Sequence, residues 1–453
     1  MIIKSRRVFI KNKLVPASIK ILSEKIQEIR SYSYTDGNEV MDFNDMIILP
    51  GGIDGHVHFR EPENTAKEDF LTGSAGAIAG GVCSILDMPC YNSPPTITIG
   101  ALTEKEQIAA KKSFCDFGFH FGASATNIEL IKKLKPPSLK AFLTKTNSPL
   151  TLTEEELKRH FLAYPAELPF LVHCEDQKTI EKNKQKYREH HKIRSVLAAL
   201  IAVKKVNALG RAIKRRIHFC HLTTASEIVE AKKGNKKFSK EIDGLYQHYF
   251  SCEVSPHHLF LSTADFKQLG PYSNVNPPLR EKREVEKLWK KLKYVDCIAS
   301  DHAPHTLEEK ENGASGFPEV QTTIPLLLDA VLNKRIQLSE AVRLFAQGPA
   351  KVFNIYCRGE IKEGNYADLI VFDPKSSWQI KEGDLYTKSG WSPYLKRTLR
   401  GKIYSTFLRG QQVYLEDRII VKPGIGKPLI RTKQIGQLPL FLKKHSKEIF
   451  MSF

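Results

Sequence analysis

Nine of the fifteen histidines in this chain fall in five short motifs, and four of those motifs stand at the ends of runs that read as β-strands. In IDGHVHFREP, His56 and His58 alternate along a strand, so both imidazoles project from one face, and in a barrel one face is the interior. Two imidazoles projecting together suit a divalent metal, although an H-x-H pair alone is more often coincidence than a site. FLVHCED ends one strand with His173 and IHFCHLTT ends another with His221, where a lone histidine is usually a satisfied polar residue. CIASDHAPHT puts Asp301 directly after a further strand, where a carboxylate can both bind metal and hold a proton in transit. A single open catalytic zinc uses about three protein ligands, so four histidines and a carboxylate at one rim are an inventory for two metals, which need a bridge. Lys140, in PSLKAFLTKT, is a cation as encoded and cannot ligate; its ordinary role is that of a surface or phosphate-binding lysine.

From Gly51 onward, apolar strand, loop and amphipathic helix repeat, the pattern of parallel βα units, because each parallel connection needs a crossover. Strands are expected over residues 53–59, 83–88, 115–121, 139–143, 170–173, 217–221, 249–254 and 294–300. Helices are expected over 66–79, 153–161, 196–213, 226–233, 320–332 and 338–353. Eight such units in roughly 250 to 300 residues predict an α/β chain folded as a (β/α)8 TIM barrel, with its chemistry at the C-terminal strand ends. Before the barrel, IIKSRRVFI, SIKILSEKIQEIR and VMDFNDMIILP alternate apolar and polar residues as strands do, and short β runs return after it. The expected organisation is residues 1–50 and 356–426 as a small β-sandwich-like domain built from both termini, a metal-dependent barrel over 51–355, and a basic tail over 427–453.

Composition narrows the function. With 41% hydrophobic residues and 24 Phe, the chain can bury a large core and is not of the disordered class. No apolar run approaches the roughly 18 to 20 residues of a membrane span, and the opening MIIKSRRVFIKNKLVP lacks a secretory pattern, so a cytoplasmic protein without membrane association is expected. The eight cysteines include no C-x-x-C pair and read as reduced thiols. The net charge of +19 is spread over lysine-rich faces without a basic stripe interleaved with aromatics, so no nucleic-acid partner is expected.

The runs PGGIDGHVHFREP, SLKAFLTKT, LVHCED, HFCHLTT, CEVSPHHLFLS, NVNPPLR and SDHAPHTLEEK, in this order and spacing, resemble the amidohydrolase superfamily and, within it, the dihydroorotases. The likeness continues through GEIKEGNYADLIVFDP to Gly424. It implies reversible cyclisation of N-carbamoyl-L-aspartate to L-dihydroorotate in pyrimidine biosynthesis, by a binuclear metal-bound hydroxide mechanism with two zinc or other divalent ions. Residue by residue, it implies one metal on His56, His58 and Asp301 and the other on His173 and His221, bridged by a carbamate that CO2 forms on Lys140. Asp301 would carry the proton, Arg60 would fork onto the substrate carboxylate, and His305, Asn276 and Thr146 would stand near the substrate. Cys220 and Glu253 match positions near an accessory third zinc in the animal enzyme, the alternative being a buried strand cysteine. A homodimer and association with aspartate transcarbamoylase are the macromolecular partners it suggests.

The chain departs from the pattern in places. MPCYNSPP is one residue longer than the relatives' M-P-N-T-x-P-P, so Asn92 replaces their substrate-binding Asn only after a shift. Ala199 stands where relatives carry a helix glutamate, Asn276 where the animal enzyme has arginine, and Asn147 where it has an aromatic. The longer loop is shared with allantoinase, which usually has Asn at the position of Arg60 and Cys at that of His305. The rival readings are therefore allantoinase, dihydropyrimidinase, or an inactive scaffold for aspartate transcarbamoylase.

Overall fold

The chain begins with β1 (Ile2–Ile10), β2 (Lys13–Leu22), β3 (Lys25–Ser31), β4 (Val40–Asp42) and β5 (Ile47–Pro50). The computed structural model describes residues 1–37, 39–90, 94–145, 150–235, 240–242, 245–247 and 249–431; Asn92, Thr146, Asn147 and the tail after Arg431 lie outside them. The run SIKILSEKIQEIR, within the segment expected as short strands with turns, forms a hairpin whose turn falls at Ser23 and Glu24, both with positive φ, 48° and 71°. Two consecutive positive-φ residues match the right-handed twist of paired strands, and neither is the glycine or asparagine that would have announced the turn.

The barrel follows as β6 (Gly52–Val57), β7 (Val82–Asp87), β8 (Asp116–Phe119), β9 (Phe121–Gly122), β10 (Leu139–Phe142), β11 (Phe170–His173) and β12 (Ile217–Phe219). A small antiparallel hairpin, β13 (Lys240–Ile242) and β14 (Leu245–Gln247), precedes β15 (Phe250–Val254) and β16 (Cys297–Ile298). One parallel ladder joins β6, β7 and β8; another runs β9, β10, β11, β12, β15, β16. His120 interrupts the third strand between β8 and β9, and the circle closes where Val57 bridges His302 and His58 N–H donates to the His302 carbonyl at 2.8 Å. Phe117, Phe121, Phe170, Phe219 and Phe250 are fully buried in the core that the strands share with the surrounding helices.

The helices end where local chemistry tells them to. Val196–Ile213 starts at Ser195, whose side chain accepts from Ala198 N–H, and packs Ala198, Ala202, Val203 and Val206 inward. Glu154–Ala163 opens with a capping box between Thr153 and Glu156. The helix expected over 338–353 is broken in three: Leu338–Val342, a π-helical turn Arg343–Gln347, and Gly348–Val352. The bulge occurs where Gly348 passes the Asp296 carbonyl so closely that a Cβ would lie 1.8 Å from it.

After the barrel come β17 (Leu369–Gln379), β18 (Thr398–Leu408), β19 (Gln411–Leu415) and β20 (Arg418–Ile419). β17 pairs antiparallel with β5, Leu369 opposite Pro50 and Phe372 opposite Ile47, which joins the two ends of the chain into one nine-stranded sheet. The described start of the tail lies along the barrel, with Lys427 N–H on Asp116 Oδ1 at 2.7 Å and Leu429 N–H on the Phe117 carbonyl at 2.8 Å. Among the described residues no helix is long and apolar enough to cross a membrane.

One buried ion pair ties this scaffold to the mouth of the barrel. Lys105 Nζ pairs with Asp87 and donates to the Met88 carbonyl at 2.9 Å, while Asp87 Oδ1 accepts from Phe59 N–H at 2.8 Å in the turn after His58. Both side chains are fully buried, so removing the ammonium strands a carboxylate. Lys105→Met is expected to lower stability by about 3–5 kcal/mol, read as a lower urea midpoint. A midpoint equal to that of the wild type would show that Asp87 finds compensation elsewhere.

Candidate active site

Five candidate ligands converge at the C-terminal end of the barrel. Asp301 Oδ1 lies 3.2 Å from His56 Nε2 and 3.3 Å from His58 Nε2. Across the mouth, His173 Nδ1 and His221 Nε2 are 3.0 Å apart. Lys140 projects from β10, fully buried, with its Nζ 3.0 Å from Cys220 Sγ and 4.9 Å from the centre of the Phe142 ring. Its charge is felt by all four imidazoles and by Asp301, after the larger effect of burial on each.

The backbone aims these side chains by leaving the strand conformation early. Arg60, His221 and Asp301 have φ of 64°, 31° and 49°, in the left-handed region that non-glycine residues seldom adopt. For this reason β12 stops at Phe219 and β16 at Ile298, short of the ends expected from their apolar runs. Below the mouth, Asp54 Oδ1 accepts from His56 N–H at 3.1 Å and Ser300 N–H at 3.2 Å, tying the turn before Asp301 to the strand of the H-x-H pair.

Two buried carboxylates set the histidine tautomers. Glu253 Oε1 lies 2.5 Å from His56 Nδ1, and its Oε2 lies 2.9 Å from His218 Nε2. Glu175 Oε2 lies 2.8 Å from His173 Nε2 and 2.6 Å from Arg194 Nη2. Burial opposes ionisation of Glu175, but Arg194 and the bond from His173 outweigh it and hold the carboxyl at about 2. Burial opposes ionisation of Glu253 as well, and His56 and His218 hold it well below the usual carboxylate range. An ionised carboxylate only accepts, so the facing ring nitrogens, His56 Nδ1 and His173 Nε2, carry the hydrogens. The opposite nitrogens then present lone pairs to the mouth.

Burial lowers His56 to about 4 and also lowers His58, His173 and His221, so all four imidazoles are neutral near pH 7. It raises Asp301 well above the usual carboxylate range. Four neutral imidazoles and a carboxylate are a nitrogen and oxygen donor set that fits divalent metal. His56, Cys220 and Glu253 also bring donor atoms within 4.8 Å of one another, as do His218, Glu253 and Cys297.

Above the ligands lies a cavity of about 750 Å³. Arg60, Asn276 and His305 line it, as does Lys145 of the SLKAFLTKT run; Lys67 and Arg194, which also line it, sit on connecting segments outside any motif read from the sequence. Arg60 is buried, its Nε donating to the Pro304 carbonyl at 3.2 Å and its Nη2 3.5 Å from His305 Nε2. Glu309 faces both His305 Nδ1, at 3.1 Å, and Lys67 Nζ, at 2.7 Å. The wall formed by Ala314, Ser315 and Gly316 is held by Lys310, whose ammonium donates to the carbonyls of Asn274, Ala314 and Gly316 at 2.7, 2.8 and 3.0 Å.

Comparison with known proteins gives a consistent result. The profile of the amidohydrolase family matches residues 47–413. A dihydroorotase of Methanosarcina acetivorans is 34% identical over 446 residues, covering 94% of both chains. One from Pyrococcus horikoshii is 35% identical over 416 residues, covering 91% of this chain and 92% of that one. The multifunctional protein CAD of Squalus acanthias is 33% identical over 396 residues, 85% of this chain and 16% of the larger protein. Among solved structures, the L-hydantoinase (dihydropyrimidinase) of Arthrobacter aurescens superposes with a TM-score of 0.89 at 24% identity, covering 95% of this chain and 99% of that one, a likeness of fold.

If Glu175 and Glu253 fix the ligand tautomers, Glu175→Gln and Glu253→Gln should each weaken metal binding by about 10- to 100-fold, measured by competition with a chromogenic chelator. Wild-type affinity in both variants would show that packing alone orients the rings.

Proposed function

The chain belongs to the amidohydrolase family and groups within it with the dihydroorotases, and we propose that it interconverts N-carbamoyl-L-aspartate and L-dihydroorotate. The observation that carries this reading is the convergence of four neutral imidazoles and Asp301 around Lys140, under a cavity that Arg60 lines. In this reading His56, His58 and Asp301 would hold one zinc, His173 and His221 would hold a second, and Lys140, its amine carboxylated by CO2, would supply a further anionic ligand. When bound, the metals activate water and polarise the amide carbonyl under attack.

The protein's own groups do the rest. Lys140 is an ammonium to begin with; loss of one proton gives the amine that can add CO2, and loss of a second from the adduct leaves a carbamate, so that a cation that cannot ligate would become an anion that can. Asp301 is held where a carboxyl readily keeps a proton, so it can receive one during ring opening and deliver it to the departing amide nitrogen. In cyclisation it removes a proton from the carbamoyl nitrogen. Arg60 offers a planar donor fork to the α-carboxylate, which the open and the cyclic substrate share. Dihydrouracil and allantoin carry no such carboxylate, which favours the dihydroorotase reading over its rivals. Glu253 already gives one oxygen to His56 and the other to His218, so we read the His56, Cys220 and Glu253 group as an anchor for His56 rather than a third metal site.

The test is turnover of both substrates by purified protein, with metal content measured on the same sample. Arg60→Met leaves a desolvated carboxylate unpaired and should cost roughly 3 to 5 kcal/mol in transition-state binding, two to three or more decades in kcat/KM for dihydroorotate. Asp301→Asn keeps the shape without the proton and should lower kcat by about 10² to 10⁴ or more. Faster hydrolysis of dihydrouracil or allantoin than of dihydroorotate by the wild type would overturn the assignment.

A further inference from the structure

The short helix His190–Ile193 lies between β11 and β12 and belongs to none of the motifs that point to chemistry. His190 packs against the NVNPPLR segment, with its Nε2 2.9 Å from Asn276 Oδ1 and 3.2 Å from the Val275 carbonyl. A carbonyl oxygen can only accept, so His190 Nε2 must carry its hydrogen, shared between the two oxygens. That decides which way the Asn276 amide faces. Were the amide turned over, Nδ2 would meet the imidazole N–H, donor against donor. Oδ1 therefore stays with His190, and Nδ2 is left to donate elsewhere.

Asn276 is partly exposed and lines the same cavity as Arg60 and His305. Its backbone has little freedom to swing. His258 Nε2 donates to the Pro277 carbonyl at 3.0 Å on one side, and Arg280 Nη1 donates to the Arg194 carbonyl at 2.7 Å on the other. Burial lowers His190 below its ordinary value, so near neutral pH the ring has a single hydrogen, the one the two oxygens require at Nε2.

We infer that His190 is a positioning residue that makes Asn276 an obligate hydrogen-bond donor to an oxygen of the substrate. The inference rests on the reading of this cavity as the dihydroorotate site. An asparagine left to choose could present its carbonyl instead, and against an anionic substrate that orientation repels.

The test is steady-state kinetics of the metal-loaded enzyme with dihydroorotate, reading KM and kcat separately. His190→Phe removes the donor and should raise KM by about tenfold while kcat changes less, as should Asn276→Ala. The double variant should be no worse than Asn276→Ala alone, because the two residues act as one unit. His190→Gln, whose side-chain amide can restore the donor, should stay near wild type, and Asn276→Asp, isosteric but without the donor, should be at least as impaired as Asn276→Ala. Metal content and urea midpoint should match wild type; His190→Ala serves if the phenylalanine does not fit. A wild-type KM for His190→Phe and His190→Ala beside an impaired Asn276→Ala, additive effects in the double variant, or wild-type kinetics for Asn276→Asp would overturn the inference. Absence of dihydroorotate turnover by the wild type would instead defeat the functional reading on which it stands.

Discussion

The hydrogen bond from a buried imidazole to a buried carboxylate is the interaction on which this site depends. Isolated in a barrel core, an ionised carboxylate is strongly unfavourable and so is a protonated histidine. Placed together, they settle on one arrangement: the carboxylate ionised, the histidine neutral, and the shared hydrogen on the nitrogen between them. Glu253 does this for His56 from β15, and Glu175 does it for His173 from just past β11. Each pair therefore turns a lone pair toward the mouth of the barrel. Arg194 extends the second arrangement to the cavity wall, because its guanidinium both lines the cavity and holds Glu175 ionised.

The barrel makes that arrangement affordable by closing around it. His56 and Glu253 are 197 positions apart in the chain and meet only because strands β6 and β15 belong to one closed ring. Asp54, beneath the pair, binds the β6 backbone to the turn before Asp301, and Asp87 with Lys105 fixes the turn after His58. The left-handed residues at the rim are held by the same network. Arg60, His221 and Asp301 would relax toward ordinary dihedrals if their neighbours allowed it, and each instead directs its side chain into the mouth.

Much of this was legible in the residues. Eight apolar runs fell on the eight strand positions, and the histidines at their ends, with Asp301, meet where parallel strands of a barrel must bring them. What could not be read depends on contacts between distant segments. The turn at Ser23 and Glu24 has no glycine to mark it, and the π-helical turn ends at Gly348, where the chain passes the carbonyl of Asp296, fifty-two positions earlier. Lys67 and Arg194 reach the cavity from connections whose paths no local pattern specifies. The orientation of the Asn276 amide is a further step removed, since it follows from a hydrogen on a histidine 86 positions away.

The division between strand ends and connections also explains why fold and substrate can part company. The hydantoinase of Arthrobacter aurescens shares this fold at 24% identity, so the barrel by itself does not choose the substrate. In the dihydroorotase reading proposed above, the groups that would choose are Arg60, in a turn, and Asn276, on a connection pinned by His190 and His258; both line the cavity. Neither belongs to the set of donors that faces Lys140. On that reading, a change at Arg60 or Asn276 would alter which ring is bound while the imidazoles, the two carboxylates behind them and Asp301 stay as they are. The donor set and this wall are nonetheless physically linked: Glu175 pairs with Arg194, the Arg194 carbonyl accepts from Arg280, and Arg280 lies on the same segment as Asn276.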